Sequence, residues 1–390
     1  MNLITDSGAL AEFRAGLHGA AFVTIDTEFM REKTYWPILC LIQIAGPNGG
    51  AAIDPLVPGI DLAPVFDLLA DTSVLKVFHA PRQDIEIFVH MTGVVPHPIF
   101  DTQIAAMVCG FGESASYETL AAKLAGAAID KSSRFTDWAH RPLSERQLQY
   151  ALADVIPLRK VYERLSARLE KTGRATWVAD EMAVLSDPKT YRPDPTDAWR
   201  RLKPRTNSRR TLAMIRELAA WRELAAQKRD LPRNRLVRDE ALLEIASHPP
   251  KDVEDLARIR ALGRSLAEGR LGAEILAAVE RARTLPEADC PELPAQRHLP
   301  PGIGPLVELL RVLLRLCAEE SDVAPRLIAD NDDLEAIAAD DSATVPALQG
   351  WRAEIFGRDA LDLKHGRLAL TASGKKIERL HLGATAAAAQ

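Results

Sequence analysis

The first 175 positions alternate between short apolar runs and helical periods. Residues 22–29 and 38–45 are apolar runs of strand length, and the turn sequence Gly46-Pro47-Asn48-Gly49-Gly50 leads into a third run at 51–53. This spacing predicts a meander of neighbouring strands. Residues 74–78 form another apolar strand, and a helical period over 82–91 follows and ends at Gly93. Further helices are predicted over 101–109, 117–125 and 144–169. The last opens on Ser144-Glu145-Arg146-Gln147, in which the serine hydroxyl and the glutamine side chain can each satisfy the other's free backbone amide. Pro157 removes a backbone hydrogen bond to Ala153 and predicts a bend in that helix. Strands mixed with helices in this order predict an α/β domain with a mixed sheet over residues 1–175.

Beyond it the pattern changes. Pro188, Pro193, Pro195 and Pro204 fall among charged residues, which predicts a linker over 176–206. From there the period is helical, with alanine- and leucine-rich stretches at 212–228, 239–245, 253–259, 273–283, 305–319 and 334–339. A second proline-rich break at 286–305 divides them into two all-helical modules, 207–288 and 289–380. A chain of 390 residues with 47% hydrophobic positions has room for two or three such cores.

Charge is uneven along the chain. The formal net charge of −5 gives no overall attraction to nucleic acid, so such binding needs a local basic surface. Basic residues crowd between Lys189 and Arg238, whereas the last third is acid-rich. A polyanion-facing surface is one explanation. A solvated helix face balanced by Glu217, Glu223 and Asp230 is the other. The cysteines, Cys40, Cys109, Cys290 and Cys317, lie far apart without zinc spacing and read as reduced, buried thiols. No apolar run of about 18 residues is present to span a membrane. Met1 to Phe13 lacks the basic leader and apolar stretch of a secretory signal, so the expected location is cytoplasmic.

Candidate chemistry begins in the first strand, where Asp26 and Glu28 interrupt an apolar run. Alternate strand residues share a face, so the two carboxylates project together. Their repulsion and desolvation call for a cation between them, unless both are simply solvated at a strand end. Asp84 follows a strand in Phe78-His79-Ala80-Pro81-Arg82-Gln83-Asp84; it fits a ligand or an acid favoured at a helix start. Tyr150 and Asp154 are spaced i, i+4 on the capped helix and share a face, as a surface pair also would.

In this order the motifs resemble those of the DEDD-type 3′-to-5′ exonucleases, tyrosine subclass. The flanks Asp26-Thr27-Glu28-Phe29, Tyr35-Trp36-Pro37, Leu41-Ile42-Gln43, Ile53-Asp54-Pro55-Leu56, Asp101-Thr102-Gln103, Thr136-Asp137-Trp138, Arg141-Pro142-Leu143 and Tyr150-Ala151-Leu152-Ala153-Asp154 are similar to the ribonuclease D branch. Asp197-Ala198-Trp199-Arg200 and Leu218-Ala219-Ala220-Trp221-Arg222 resemble the start of a helicase-and-RNase-D C-terminal (HRDC) domain. The resemblance weakens after about residue 300.

It implies a ribonuclease-H-like exonuclease domain with a mixed sheet, followed by two all-α HRDC-type domains. It also implies a metal-dependent exoribonuclease that releases nucleoside 5′-monophosphates from RNA 3′ ends. Transfer-RNA precursors and other small structured RNAs are the implied partners. Asp26, Glu28 and Asp154 would hold one of two divalent ions, Mg²⁺ or Mn²⁺, with Asp26 bridging to the second and Asp84 joining through water. Tyr150 would orient the attacking water. Helicase-associated DNA exonucleases share these motifs, and an inert nucleic-acid-binding protein is the non-enzymatic alternative. Phe29 and Met30 fit either a wedge against terminal bases or core packing. Asp101 fits either a support behind the acidic site or, as the favoured reading, a cap for the following helix; His79, His90, His97 and His140 read as structural, and Asp137 and Trp138 match the family without a derivable role.

Overall fold

A computed structural model describes residues 3–130, 132–293 and 299–382. The proline-rich break at 286–305 and the second helical module therefore lie partly outside the described residues. Six strands form one sheet: β1 (Leu3–Ile4), β2 (Phe22–Met30), β3 (Ile38–Gly46), β4 (Gly49–Ile53), β5 (Leu75–Phe78) and β6 (Ile99–Asp101). Their order is β1-β4-β3-β2-β5-β6, with antiparallel pairs around β3 and parallel pairs elsewhere. The sheet is mixed, as the alternation of elements predicts.

Helices cover both faces. Helices α1 (Ser7–Ala15), α2 (Ala63–Ala70) and α3 (Arg82–Thr92) share one core with Val23, Ile25, Ile42 and Ile44. Helix α3 stops where Gly93 adopts a left-handed φ of 77°, a conformation open to glycine at no steric cost. On the other face lie α4 (Thr102–Val108), α5 (Tyr117–Leu120, continued by a wider turn at Ala121–Ala125) and α6 (Glu145–Thr172). The capping box of Ser144 and Gln147 forms as the sequence predicts. Asp101 is the N-cap of α4, its carboxylate accepting from the amide of Gln103 at 2.8 Å.

The stretch 176–206 is built from ordered elements. Helix α7 (Ala175–Ser186) buries Val178 and Met182 beside α4 and α6, and the turns at Pro195–Leu202 bury Trp199 and Leu202 in the next module. That module is built around α8 (Arg209–Arg229) and extends to Arg270–Thr284. The following helices, among them Gly304–Ser321 and Asn331–Ala339, share a continuous apolar core with α4, α6 and α7. A hairpin of β7 (Leu368–Ser373) and β8 (Lys376–His381) follows them, which helical periodicity gives no reason to expect. All four cysteines are free and buried. Among the described residues no helix is long and apolar enough to cross a membrane.

The basic stretch divides between the two explanations. Arg210 donates to the carbonyls of Ala282 and Leu285 and to Glu287, Arg222 is buried against Val237 and Asp239, and Arg229 and Arg233 pair with Glu274 and Glu223. These arginines knit the module together. Arg201, Lys203, Arg205, Arg235 and Arg238 remain exposed and form no ion pair among the described residues.

Candidate active site

Sheet register sets the first half of the site. Asp26 lies opposite Gln43 and Glu28 opposite Leu41, so both acids project from the face covered by α6. A register shift between Glu28 and Phe29 ends the regular pairing there. From α6 come Tyr150 and Asp154, one turn apart. One carboxylate oxygen from each of Asp26, Glu28 and Asp154 lies within 4.8 Å of the other two. All three line a cleft of about 1000 Å³ together with Asp84 and Tyr150.

Asp84 reaches the same cleft from the first turn of α3 and is buried. Its carboxylate accepts a hydrogen bond from the hydroxyl of Thr27. Thr27 points to the opposite face of β2 from Asp26 and Glu28, so one strand segment supplies two acids on one side and the orienting hydroxyl on the other. The turn before α3 is held by Asp101, whose carboxylate also accepts from the amide of Ala80 at 2.9 Å. Asp101 thus supports the approach to Asp84 as well as capping α4.

The electrostatics of this cluster are unfavourable in the protein alone. Burial, then the charges of Asp84, Asp154 and Glu28, raise the Asp26 carboxyl well above the carboxylate range. Burial and then Asp154 and Asp84 push Glu28 up to about 9, with Arg134 opposing. Asp154 rises to about 7 by burial, opposed by its hydrogen bond from Tyr150 and by Arg134. Asp84 rises to about 6, again by burial, opposed by Thr27. Four acids that resist ionising together at neutral pH, with oxygen donors and no thiolate or imidazole among the close three, fit a hard divalent cation. Gln43, the cross-strand partner of Asp26, is also fully buried with its amide unpartnered among the described residues, a further sign that the polar groups here are not satisfied by protein alone.

Burial first, then Asp154, Glu28 and Asp26, raise the Tyr150 phenol above its ordinary value, so it keeps its proton and remains a donor. Trp138 packs with its ring centroid 5.9 Å from that of Tyr150. The segment carrying Trp138 is pinned by Arg141, which makes a two-pronged ion pair with Asp54 at 2.6 and 2.8 Å and donates to the carbonyls of Trp138 and Cys40. This joins the Ile53-Asp54-Pro55 and Arg141-Pro142 segments, which lie far apart in sequence.

Several cleft residues escape sequence reasoning. His79 lines the cleft, with Nδ1 3.0 Å from the Thr102 hydroxyl, and burial lowers it to about 4, so it is neutral. Tyr117 donates to the carbonyl of Ala153, next to Asp154. Arg134 and Phe135 stand on the cleft rim; Phe135 is 91% exposed, with the Arg134 guanidinium 5.3 Å from its ring centroid. An exposed aromatic beside a cation is the only signal the sequence offers for that pair. Phe29 and Met30 line the cleft while also packing against the two cores flanking the sheet.

Residues 1–170 match the 3′-5′ exonuclease family, and residues 211–279 match the HRDC domain. The chain is 54% identical to ribonuclease D of Granulibacter bethesdensis over 98% of this chain and 97% of that one. It is 52% identical to ribonuclease D of Gluconacetobacter diazotrophicus over 97% and 96% of the two chains. Among solved structures, Escherichia coli RNase D, described as an exoribonuclease involved in structured RNA processing, superposes with a TM-score of 0.78 at 32% identity, covering 93% of this chain and 98% of that one. With identity above 50% to ribonuclease D over nearly the whole length and a match to the exonuclease family over residues 1–170, the chain belongs to the ribonuclease D family of 3′-to-5′ exoribonucleases.

Proposed function

We propose that this exoribonuclease trims the 3′ ends of transfer-RNA precursors and other small structured RNAs in the cytoplasm, using two divalent ions, Mg²⁺ or Mn²⁺. The reading rests chiefly on the convergence of the carboxylates of Asp26, Glu28 and Asp154 within 4.8 Å in a cleft open to a polymer end. Residues 1–175 act as the catalytic domain, 207–288 as the first HRDC domain and 289–380 as the second, with 176–206 joining them.

Asp26, Glu28 and Asp154 hold the ions, and Asp84 completes the set from α3. When bound, the ions supply positive charge against the developing phosphorane and make water easier to deprotonate. Tyr150, protonated and hydrogen-bonded to Asp154, aligns the attacking water in line with the departing 3′ oxygen. Arg134 faces the acids without an ion pair among the described residues and takes up charge on the scissile phosphate. The exposed ring of Phe135 offers a face on which a base near the 3′ end stacks.

The test is incubation of the purified chain and Mg²⁺ with a transfer-RNA precursor carrying a short 3′ extension, beside unstructured RNA and DNA of matched sequence. The expected result is stepwise loss of the extension with release of nucleoside 5′-monophosphates. A precursor left intact while the unstructured RNA is degraded would overturn the substrate assignment.

A further inference from the structure

Residues 31–37 leave the strand that carries Asp26 and Glu28, and Arg31, Lys33 and Thr34 among them line the cleft. The far end of this segment is anchored outside its own domain. Tyr35 is buried in the core of the first helical module beside Trp221 and Leu236. Its hydroxyl donates to the carboxylate of Glu223 and accepts from Gln227 Nε2 at 3.1 Å and Arg233 Nη2 at 2.9 Å. The Arg233 guanidinium also lies 4.7 Å from the tyrosine ring centroid, and Arg233 donates to Glu223 at 2.6 Å. Burial raises Glu223, but the hydrogen bonds from Arg233 and Tyr35 outweigh it and hold the carboxylate ionised.

A second anchor follows at once. The Trp36 amide donates to Asp230 Oδ1 at 2.9 Å, and its ring stacks on His90 of α3 at 4.0 Å with planes 10° apart. At the near end Arg31 makes a two-pronged pair with Glu86, both contacts 2.8 Å. Lys33 lies between these anchors, exposed and facing the cleft.

We infer that Tyr35 is a positioning residue through which the first helical module fixes the 31–37 segment, so that Lys33 meets the phosphate backbone of an RNA whose 3′ end lies at the acids. The inference rests on the RNA-hydrolase reading and adds a second role for the module beyond recruitment. Two physical arguments favour it over simple domain adhesion. A half-buried, hydrogen-bonded ion pair contributes little net stability compared with apolar packing, whereas its directional contacts set where the Tyr35 hydroxyl sits. A segment ordered in advance also avoids the conformational entropy cost that a loose one incurs when substrate binds.

The experiment uses the full chain, a short unstructured oligoribonucleotide and saturating Mg²⁺. Tyr35→Phe keeps the ring and its Arg233 contact but removes the hydroxyl; KM should rise several-fold with kcat within about twofold. Lys33→Ala should raise KM similarly, and the double variant should be no worse than the poorer single one, because both act through one contact. Asp230→Gly provides a second route: the residue is exposed with a left-handed φ of 50°, which glycine adopts freely, and the change removes the Trp36 acceptor together with the carboxylate charge near His90. It should give the same KM pattern. Amide exchange should quicken over 31–36 in Tyr35→Phe and stay unchanged in β2. An unchanged KM in both Tyr35→Phe and Asp230→Gly, or effects that multiply in the double variant, would overturn the inference. If the native chain fails to hydrolyse RNA, the hydrolase reading falls, and unchanged exchange over 31–36 would independently remove the clamp.

Discussion

The Tyr117 hydroxyl donates a 2.8 Å hydrogen bond to the Ala153 carbonyl, the oxygen that Pro157 leaves without its usual amide partner in α6. A helix-breaking residue is thus tolerated one turn after the metal-binding candidate because a phenol from a neighbouring helix replaces the missing donor. Tyr117→Phe should destabilise the fold by about 1–3 kcal/mol, the cost of a buried carbonyl left unpaired. In a Pro157→Ala background, where residue 157 regains an amide, the same substitution should cost measurably less. Thermal unfolding of the four proteins checks this; equal costs in both backgrounds would separate Tyr117 from Pro157.

Loss of a carboxylate should be graver than loss of the phenol. Asp26→Ala, Glu28→Ala and Asp154→Ala should each reduce turnover by more than the roughly 10–100-fold typical of residues that only support metal ligands. Tyr150→Phe should lower kcat by about 10²–10⁴ with metal affinity unchanged, the range for a positioned proton-transfer group. Single-turnover hydrolysis, with Mn²⁺ binding measured separately, distinguishes the two classes.

The raised carboxyls of the cluster predict a pH-dependent cost in the metal-free protein. A group whose folded pKa exceeds its unfolded value contributes its full stability below the unfolded pKa, near 4 for a carboxyl, and loses it as pH rises through the folded value. Here that window runs through about 6 for Asp84, about 7 for Asp154 and about 9 for Glu28. Without metal, Asp154→Asn should therefore melt higher than the native chain at pH 8, with the gap narrowing as pH falls and closing only below about 4. Added Mg²⁺ should reverse the order at pH 8. A native chain that melts higher than the variant at pH 8 without metal would contradict the electrostatic account.

Phe135→Ala and Arg134→Ala should separate substrate binding from charge stabilisation. The first should raise KM by about 5–150-fold, the equivalent of about 1–3 kcal/mol for one stacked base, with kcat little changed. The second should lower kcat, because the cation faces the position where charge develops. Steady-state kinetics on a short oligoribonucleotide reads both.

Much of the scaffold is legible in the sequence where periodicity is strong and punctuation sharp. The apolar runs of β2 and β3, the glycine-rich turn between β3 and β4, the left-handed stop at Gly93 and the Ser144 capping box each carry their own local signal. The shortest strands do not: β1 has two residues and β6 three, too few for a period, and they form only because β4 and β5 offer free edges. The acids were readable because carboxylates in an apolar strand need a reason. Thr27, Tyr117 and Arg134 were not, since a threonine in a strand, a tyrosine at a helix start and an arginine in a loop are unremarkable until the fold brings them to the cleft. Nor could composition reveal that Arg210, Arg222 and Arg233 are spent on carbonyls and acids of their own module.

The most direct test of the account is hydrolysis of a 5′-labelled RNA by the full chain with Mg²⁺, with EDTA, and as Asp26→Ala with Mg²⁺, sizing the labelled strand and identifying the released mononucleotides. The account predicts a ladder shortening one nucleotide at a time from the 3′ end, nucleoside 5′-monophosphates as the only small product, and no shortening with EDTA or in the variant. Internal cuts, 3′-phosphorylated products, or undiminished hydrolysis in EDTA would contradict it.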